Sequence, residues 1–344
     1  MRMQPIVILH QFWRNAARIA AVAIGCVLLA PLPVRADPQV LRAVQQLDRQ
    51  VLDIGYRLAR AGGDLCPRAA LPGFALHDLS QYFASQQAEA RTEFGFAGAP
   101  LVLAVARGSP AAEAGLRIDD AVMAIDGTPV APAPPDAADS YTHVAALTAR
   151  IEQAAADGTL ALAVRRGAET TMLQLTLERG CPGRFQANVS GAIDSRADGT
   201  YVEINSGLIA FAGAEEQLAA IVAHELAHNI LRHRARLNAA GVSRGMLGLF
   251  GRSARLIRRT EEEADRLSVY LLDRAGYPPE AAATFWERYR KSHALGFLAA
   301  PTHMREKDRI ALFREEIARI AAMKAAGQSP RPAFMAGPDL PRLK

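Results

Sequence analysis

The chain has 344 residues, half of them apolar, which is enough for two globular domains with buried cores and excludes a chain disordered throughout. Lys plus Arg number 40 against 35 Asp plus Glu, but Arg2, Arg14, Arg18 and Arg35 lie in the first 36 positions, where there is no acid, leaving 36 against 35 beyond them. That balance excludes the positive surplus by which nucleic-acid binders hold a polyanion, and no uninterrupted apolar run reaches the ~18 residues of a membrane-spanning helix.

Arg14 and Arg18 precede the apolar run Ile19 to Leu32, which Pro31 interrupts and Val34-Arg35-Ala36 follows. This is the layout of a secretory signal cut after Ala36, so the protein is expected to be exported to the periplasm or another extracytoplasmic space; left uncut, the same segment is an N-terminal anchor. Ala23-Ile24-Gly25-Cys26 is a loose lipidation box, although the residues after Cys26 stay apolar where a mature lipoprotein turns polar. Without residues 1–36 two cysteines remain, Cys66 and Cys181, in a compartment that permits disulfides, and a bridge between them is predicted; the alternative is two separate buried thiols.

In residues 37–70, Val40, Leu41, Val44, Leu47, Val51, Leu52 and Ile54 recur every three or four positions, predicting an amphipathic helix that ends at Gly62-Gly63 and a linker. Residues 71–180 change texture, with short strand-like runs (Leu101 to Val105, Leu160 to Val164, Thr171 to Leu177), one helix near Thr142 to Ala155 and a Pro-rich loop at Ala131 to Ser140. They predict a small, mostly β unit. Within it, Gly108-Ser109-Pro110-Ala111-Ala112-Glu113-Ala114-Gly115-Leu116, followed by Asp119-Asp120 and Asp126-Gly127, resembles the centre of a bacterial PDZ domain, with Asp119 where such domains usually have Gly. The resemblance implies capture of an extended peptide by strand addition at a sheet edge. Phe94-Gly95-Phe96 is the expected carboxylate loop, although a packed strand start fits the same residues, and the unit can also serve only to space or gate its neighbour.

Residues 181–325 form a second unit, read as strand-like Tyr201 to Ile204, a turn at Asn205 to Gly207, strand-like Leu208 to Phe211, and helices thereafter. Residues 326–344, with Pro330, Pro332, Pro338 and Pro341, read as a disordered tail. His224-Glu225-Leu226-Ala227-His228 lies inside an apolar helix from Glu215 to about Arg236. At i and i+4 the imidazoles share a face and can hold one zinc ion, while the intervening Glu225 reaches its water. The apolar flanks Leu218, Ile221, Val222, Leu226, Ile230 and Leu231 make this a core helix, where two His and a Glu are costly unless something pairs with them. A catalytic zinc needs a third protein ligand. His233 is one residue short of the register in which a third His ligates, so it reads as a surface His or one supporting a ligand. Glu261 supplies the alternative, with Asp265 one turn on to accept a ligand His ring N–H. Glu262 and Glu263 remain open, either as the true ligand or as acids that suit a helix N-terminus without any metal.

His224-Glu225-Leu226-Ala227-His228-Asn229 followed by Glu261-x-x-Ala264-Asp265-Arg266 resembles the zinc endopeptidases of metallopeptidase family forty-eight, the HtpX, Oma and CAAX prenyl protease type, over residues 184 to 320. Thr302-His303-Met304 with Arg309-Ile310 is similar to a third segment of that family, Met304 standing in place of Pro. The resemblance implies a mainly helical gluzincin domain with an edge β-hairpin behind the PDZ-like unit, an α+β chain overall. It further implies one zinc per chain on His224, His228 and Glu261, Glu225 as general base, His303 over the active site with Arg309 beside it, and an edge strand at Val202 and Ile204 that holds substrate backbone. A surface His303 and an Arg309 paired with nearby acids are the plainer readings of those two residues, and a covering hairpin is the plainer reading of the strand. The glycine-spaced apolar stretch Gly241 to Gly251 reads as a plug, a peripheral membrane contact or a hairpin turn. Together these predict an exported endopeptidase acting on protein substrates, in envelope quality control. The competing reading is a closed zinc protein that binds peptides through the PDZ-like unit.

Overall fold

The computed structural model describes residues 38–134, 137–242, 250–292 and 305–336. The expected signal with Cys26, residues 243–249 of the glycine-spaced stretch, and His303 lie outside them. Two compact units emerge, one of chain up to Gln50 with Pro72–Leu177 and Ala187–Ala192, the other of Val51–Leu71, Glu178–Gln186 and chain from Ile193. Helix α1 (Pro38–Ala61) and strand β1 (Ala69–Leu71) open the described chain; of the predicted stripe on α1, Leu41, Val51, Leu52 and Ile54 are buried, Val44 and Leu47 half-buried and Val40 exposed, and Leu58 beyond it is buried too.

The first unit is built on an antiparallel sheet. Its strands are β2 (Phe74–His77), β3 (Leu101–Val105), β4 (Ala121–Ile125), β5 (Thr128–Pro129), β6 (Thr159–Arg166) and β7 (Glu169–Thr176), with helices α2 (Gln87–Phe94), α3 (Pro110–Glu113) and α4 (Thr142–Ala154) between them. The order is β2-β3-β4-β6-β7, with β5 added to β4, so β2 and β7 are the end strands. Leu160, Leu162 and Val164 alternate inward along β6 and Val144, Leu147 and Ile151 recur at helical spacing on α4, the two periodicities that place one apolar core. Asp119 adopts the left-handed conformation (φ 67°) that Gly takes at lower cost, and its carboxylate accepts from Arg42 at 2.6 Å and Gln45 at 3.1 Å on α1.

In the second unit β1 pairs with β8 (Glu178–Gly180), and β9 (Arg184–Asn188), β10 (Ser195–Ala197) and β11 (Tyr201–Asn205) form a sheet of order β10-β11-β9. Helices α5 (Ser206–Ala212), α6 (Glu215–Ile230), α7 (His233–Ala239), α8 (Gly251–Arg274), α9 (Glu280–Ser292) and α10 (Glu306–Ala325) follow. Leu208 to Phe211 is therefore helical, not a strand: Leu208, Ile209 and Ala212 bury one helical face and Gly213 (φ 71°) ends the turn. The hairpin is instead β10–β11. Glu261 to Glu263 sit mid-helix in α8 rather than at a helix start, which removes the helix dipole as their reason.

Cys66 and Cys181 form a disulfide, and Gly62 is required beside it, since a Cβ there would stand 2.3 Å from the Cys181 sulfur. The tail is ordered further than its prolines imply: Arg274 donates to the Pro330 carbonyl at 2.9 Å and Met335 is buried. Among the described residues no helix is long and apolar enough to cross a membrane.

Candidate active site

Helix α6 is buried on almost every face because Leu218, Ala219, Val222, Ala223, Leu226 and Ala227 pack around it, and its polar residues must therefore find partners inside the protein. They do. His224 Nε2 and His228 Nε2 are 3.1 Å apart, and Glu261 on α8 places its two carboxylate oxygens 3.7 Å and 3.5 Å from them. Ligand atoms around a tetrahedral zinc at ~2.0–2.1 Å are separated by roughly 3.3 Å, so these donors fit a zinc ion without rearrangement. The three residues are also those among the described ones whose ligand atoms cluster closely enough to hold a metal.

Polar contacts behind the donors orient both rings. His224 Nδ1 stands 2.9 Å from Asp265, the partner expected for it. His228 Nδ1 is 3.0 Å from His233 Nδ1, while His233 Nε2 is 3.2 Å from Glu263. A carboxylate only accepts, so His233 donates from Nε2, accepts at Nδ1 from His228, and leaves the His228 Nε2 lone pair facing the donor cluster. Glu263 is held in turn by Arg236 (2.7 Å) and Arg259 (3.1 Å). Burial alone would raise the Glu263 carboxyl, but the hydrogen bonds from His233 and Arg236 outweigh it and bring it down to about 2. Glu263 is thus neither ligand nor dipole partner, and Glu262 pairs with Arg266.

Arg309 closes the back of the site. Its guanidinium, 4% exposed, donates to Asp265 (2.5 Å) and to Glu261 (3.2 Å), and lies 4.0 Å from the centroid of the Trp286 ring. The structure makes it a positioning residue for a ligand and for the acid behind another, not a group facing substrate. Burial pulls His224 down, but Asp265 and Glu261 outweigh it and raise it to about 10, while burial lowers His228 well below its ordinary value. A divalent cation bound among these donors would take the place of the proton that Asp265 and Glu261 favour on His224.

Glu225 is 7% exposed, and burial raises its carboxyl against the opposing pull of His224 and Ser195. Ser195, the first residue of β10, donates from Oγ to Glu225 Oε1 at 2.8 Å.

The substrate-binding residues expected from sequence are placed differently. Val202 and Ile204 are fully buried on β11, the middle strand with neighbours on both sides, so the edges of this sheet belong to β10 and β9. Phe94 ends α2, Gly95 caps it at φ 76° on the surface, and Phe96 is buried with Phe94 around His77 and Tyr82, so the two rings serve the core and not a carboxylate loop. The end strand β2 follows a different apolar-Gly-Phe turn, Pro72-Gly73-Phe74, with Gly73 at φ 75°.

The profile of peptidase family M48 matches residues 182–255, and that of the PDZ domain matches residues 101–166. The chain carries an M48 metallopeptidase domain and a PDZ domain. The mitochondrial metalloendopeptidase OMA1 of Schizosaccharomyces pombe is 31% identical to it over 140 residues, covering 34% of this chain and 41% of that protein. A putative beta-barrel assembly-enhancing protease of Vibrio cholerae is 28% identical over 159 residues (37% and 33%), and the beta-barrel assembly-enhancing protease of Escherichia coli 30% over 118 residues (26% and 24%). The chain thus spans less than half the length of these relatives.

Proposed function

We propose that this M48 chain is an exported, zinc-dependent endopeptidase of the cell envelope whose PDZ domain recruits or gates protein substrates. The observation that carries the reading is the convergence of His224, His228 and Glu261 beside the buried carboxylate of Glu225. Zinc held by those three residues supplies Lewis acidity. Glu225 takes a proton at Oε2 from the attacking water and delivers it to the leaving amine, with Ser195 and the helix holding the carboxylate in place. On this reading α6, α8 and the β10–β11 hairpin make up a gluzincin site, with substrate backbone adding along β10. His303 is assigned to the developing oxyanion on the family resemblance alone.

The role in envelope quality control rests on the names of the bacterial relatives, and export rests on the N-terminal signal pattern. In the PDZ domain a peptide adds as a strand to β2, facing α4, because β2 is an end strand led in by the Pro72-Gly73-Phe74 turn. The test is cleavage of an unfolded protein by the full chain, with and without chelator, beside Glu225→Gln. Chelator should abolish cleavage, and the variant should lose at least ~10²-fold in rate while retaining one zinc per chain. Cleavage that survives chelation, or a variant as active as the parent, rejects the reading.

A further inference from the structure

From Leu226 to Thr260 the sequence contains eight arginines and no Asp or Glu. Because the whole chain beyond residue 36 carries only +1, the remainder outside this stretch carries −7. Seven of the eight arginines lie among the described residues, three at Arg232, Arg234 and Arg236 and four on the first part of α8, so the charge is concentrated on this part of the second unit. On α8, Arg252, Arg255, Arg258 and Arg259 are exposed and fall within an arc of roughly 120°, while Ala254, Leu256 and Thr260 fill the buried arc. Arg252 also donates to the carbonyl of Ala240 just after α7 at 2.9 Å, so the start of α8 is tied to the end of α7, where Arg232 and Arg234 are exposed. Glu263 engages only Arg236 and Arg259 of this set.

Two details set this surface apart from ordinary solvated charge. Arg232 sits in the left-handed region (φ 53°), at the position after a helix end that Gly fills without strain, so the chain keeps an arginine there against its backbone preference. Phe250, which leads into α8, is 69% exposed, the most exposed large apolar side chain among the described residues. Arginines on one face with an aromatic at its end are the composition of a segment that rests on a charged lipid interface.

We propose that α7 and the first half of α8 form a docking surface for an anionic phospholipid bilayer, the arginines meeting lipid phosphates and Phe250 entering the headgroup layer. The surface lies upstream of Glu261 on the same helix. Ten residues separate Glu261 from the start of α8, about 15 Å along the axis, so the donor cluster follows the basic face along the same helix. The proposal rests on charge and exposure and does not depend on the catalytic reading.

The test is co-sedimentation of the full chain with phosphatidylglycerol–phosphatidylcholine vesicles and with phosphatidylcholine vesicles alone. Binding should prefer the anionic vesicles and weaken as salt rises. At roughly 5-fold per arginine, Arg252→Gln/Arg255→Gln should weaken partitioning about 30-fold, whereas Arg314→Gln/Arg319→Gln, an equal charge loss on α10, should change it less than ~3-fold. Arg232→Gly separates binding from folding: it should weaken partitioning about 5-fold while leaving the unfolding midpoint unchanged or raised. The N-terminal apolar run is common to all variants. Equal binding to both vesicle types, or equal losses in the α8 and α10 variants, overturns the proposal.

Discussion

Replacing His233 by Ala tests whether a residue that cannot ligate zinc controls how well zinc is held. His233 is 2% exposed and links His228 to Glu263 through contacts of 3.0 Å and 3.2 Å. Its removal leaves His228 Nδ1 without its buried partner and lets the ring turn or change tautomer, while Glu263 stays held by Arg236 and Arg259, so the damage is confined to the ligand. Loss of such an outer hydrogen bond costs ~10–100-fold in metal affinity, or about 1.4–2.7 kcal/mol, in keeping with a buried polar group stripped of its partner. The assay is zinc competition against a chromophoric chelator at fixed pH, run beside thermal unfolding of the chelator-treated protein. His233→Gln, whose side-chain oxygen can accept from Nδ1, should recover part of the affinity. Zinc binding within ~2-fold of the parent, or a loss that merely follows a drop in metal-free stability, would refute the argument.

Two further outcomes concern stability. Burial raises the Asp48 carboxyl to about 7 from 3.8, opposed only by the Ala187 amide. The folded state therefore binds a proton that the unfolded state has released, and stability falls as pH rises from about 4 to about 7 and is level above. Asp48→Asn keeps the acceptor, flattens that slope and should be more stable at pH 8 by ~2–4 kcal/mol; denaturant midpoints across pH check it, and an unchanged slope counts against the burial argument. The disulfide closes a separation of 115 residues, so Cys66→Ser/Cys181→Ser should lose roughly 2–5 kcal/mol. A denaturant midpoint indifferent to reductant would contradict this.

What could be read from the residues was whatever has short-range periodicity or fixed spacing. The α1 stripe, the β6 alternation and the i, i+4 imidazoles are all local signals, and the disulfide followed from there being two cysteines after residue 36. Asp265 behind His224 was legible for the same reason, being one turn from Glu261. Contacts that depend on how elements pack were not. The spacing left His233 as either a surface His or one supporting a ligand, and the choice depends on the left-handed turn at Arg232 that ends α6, starts α7 and brings His233 to His228. Ser195 carries no motif, and its three-residue strand is too short and polar to show alternation. Val202 and Ile204 have the composition of an edge strand and of a central one alike, and only the pairing of β11 with both β10 and β9 decides between them. The two aromatic-glycine turns, at Phe94-Gly95-Phe96 and Pro72-Gly73-Phe74, differ in burial and not in sequence type.

The Ser195–Glu225 contact makes strand alignment part of the active site. Side chains alternate along a strand, so sliding β10 by one residue against β11 would replace the Ser195 hydroxyl at the base with Asp194 or Arg196. The first sets a second carboxylate against Glu225 and the second sets a guanidinium that pairs with the carboxylate and weakens it as a base. The Asp198-Gly199-Thr200 turn, far from the zinc donors in sequence, therefore acts as a length gauge. Asn229 on α6 reads it directly, accepting the Gly199 amide at 2.7 Å from the same helix that carries the base. Changes in that turn would be felt as lost chemistry with every metal ligand intact.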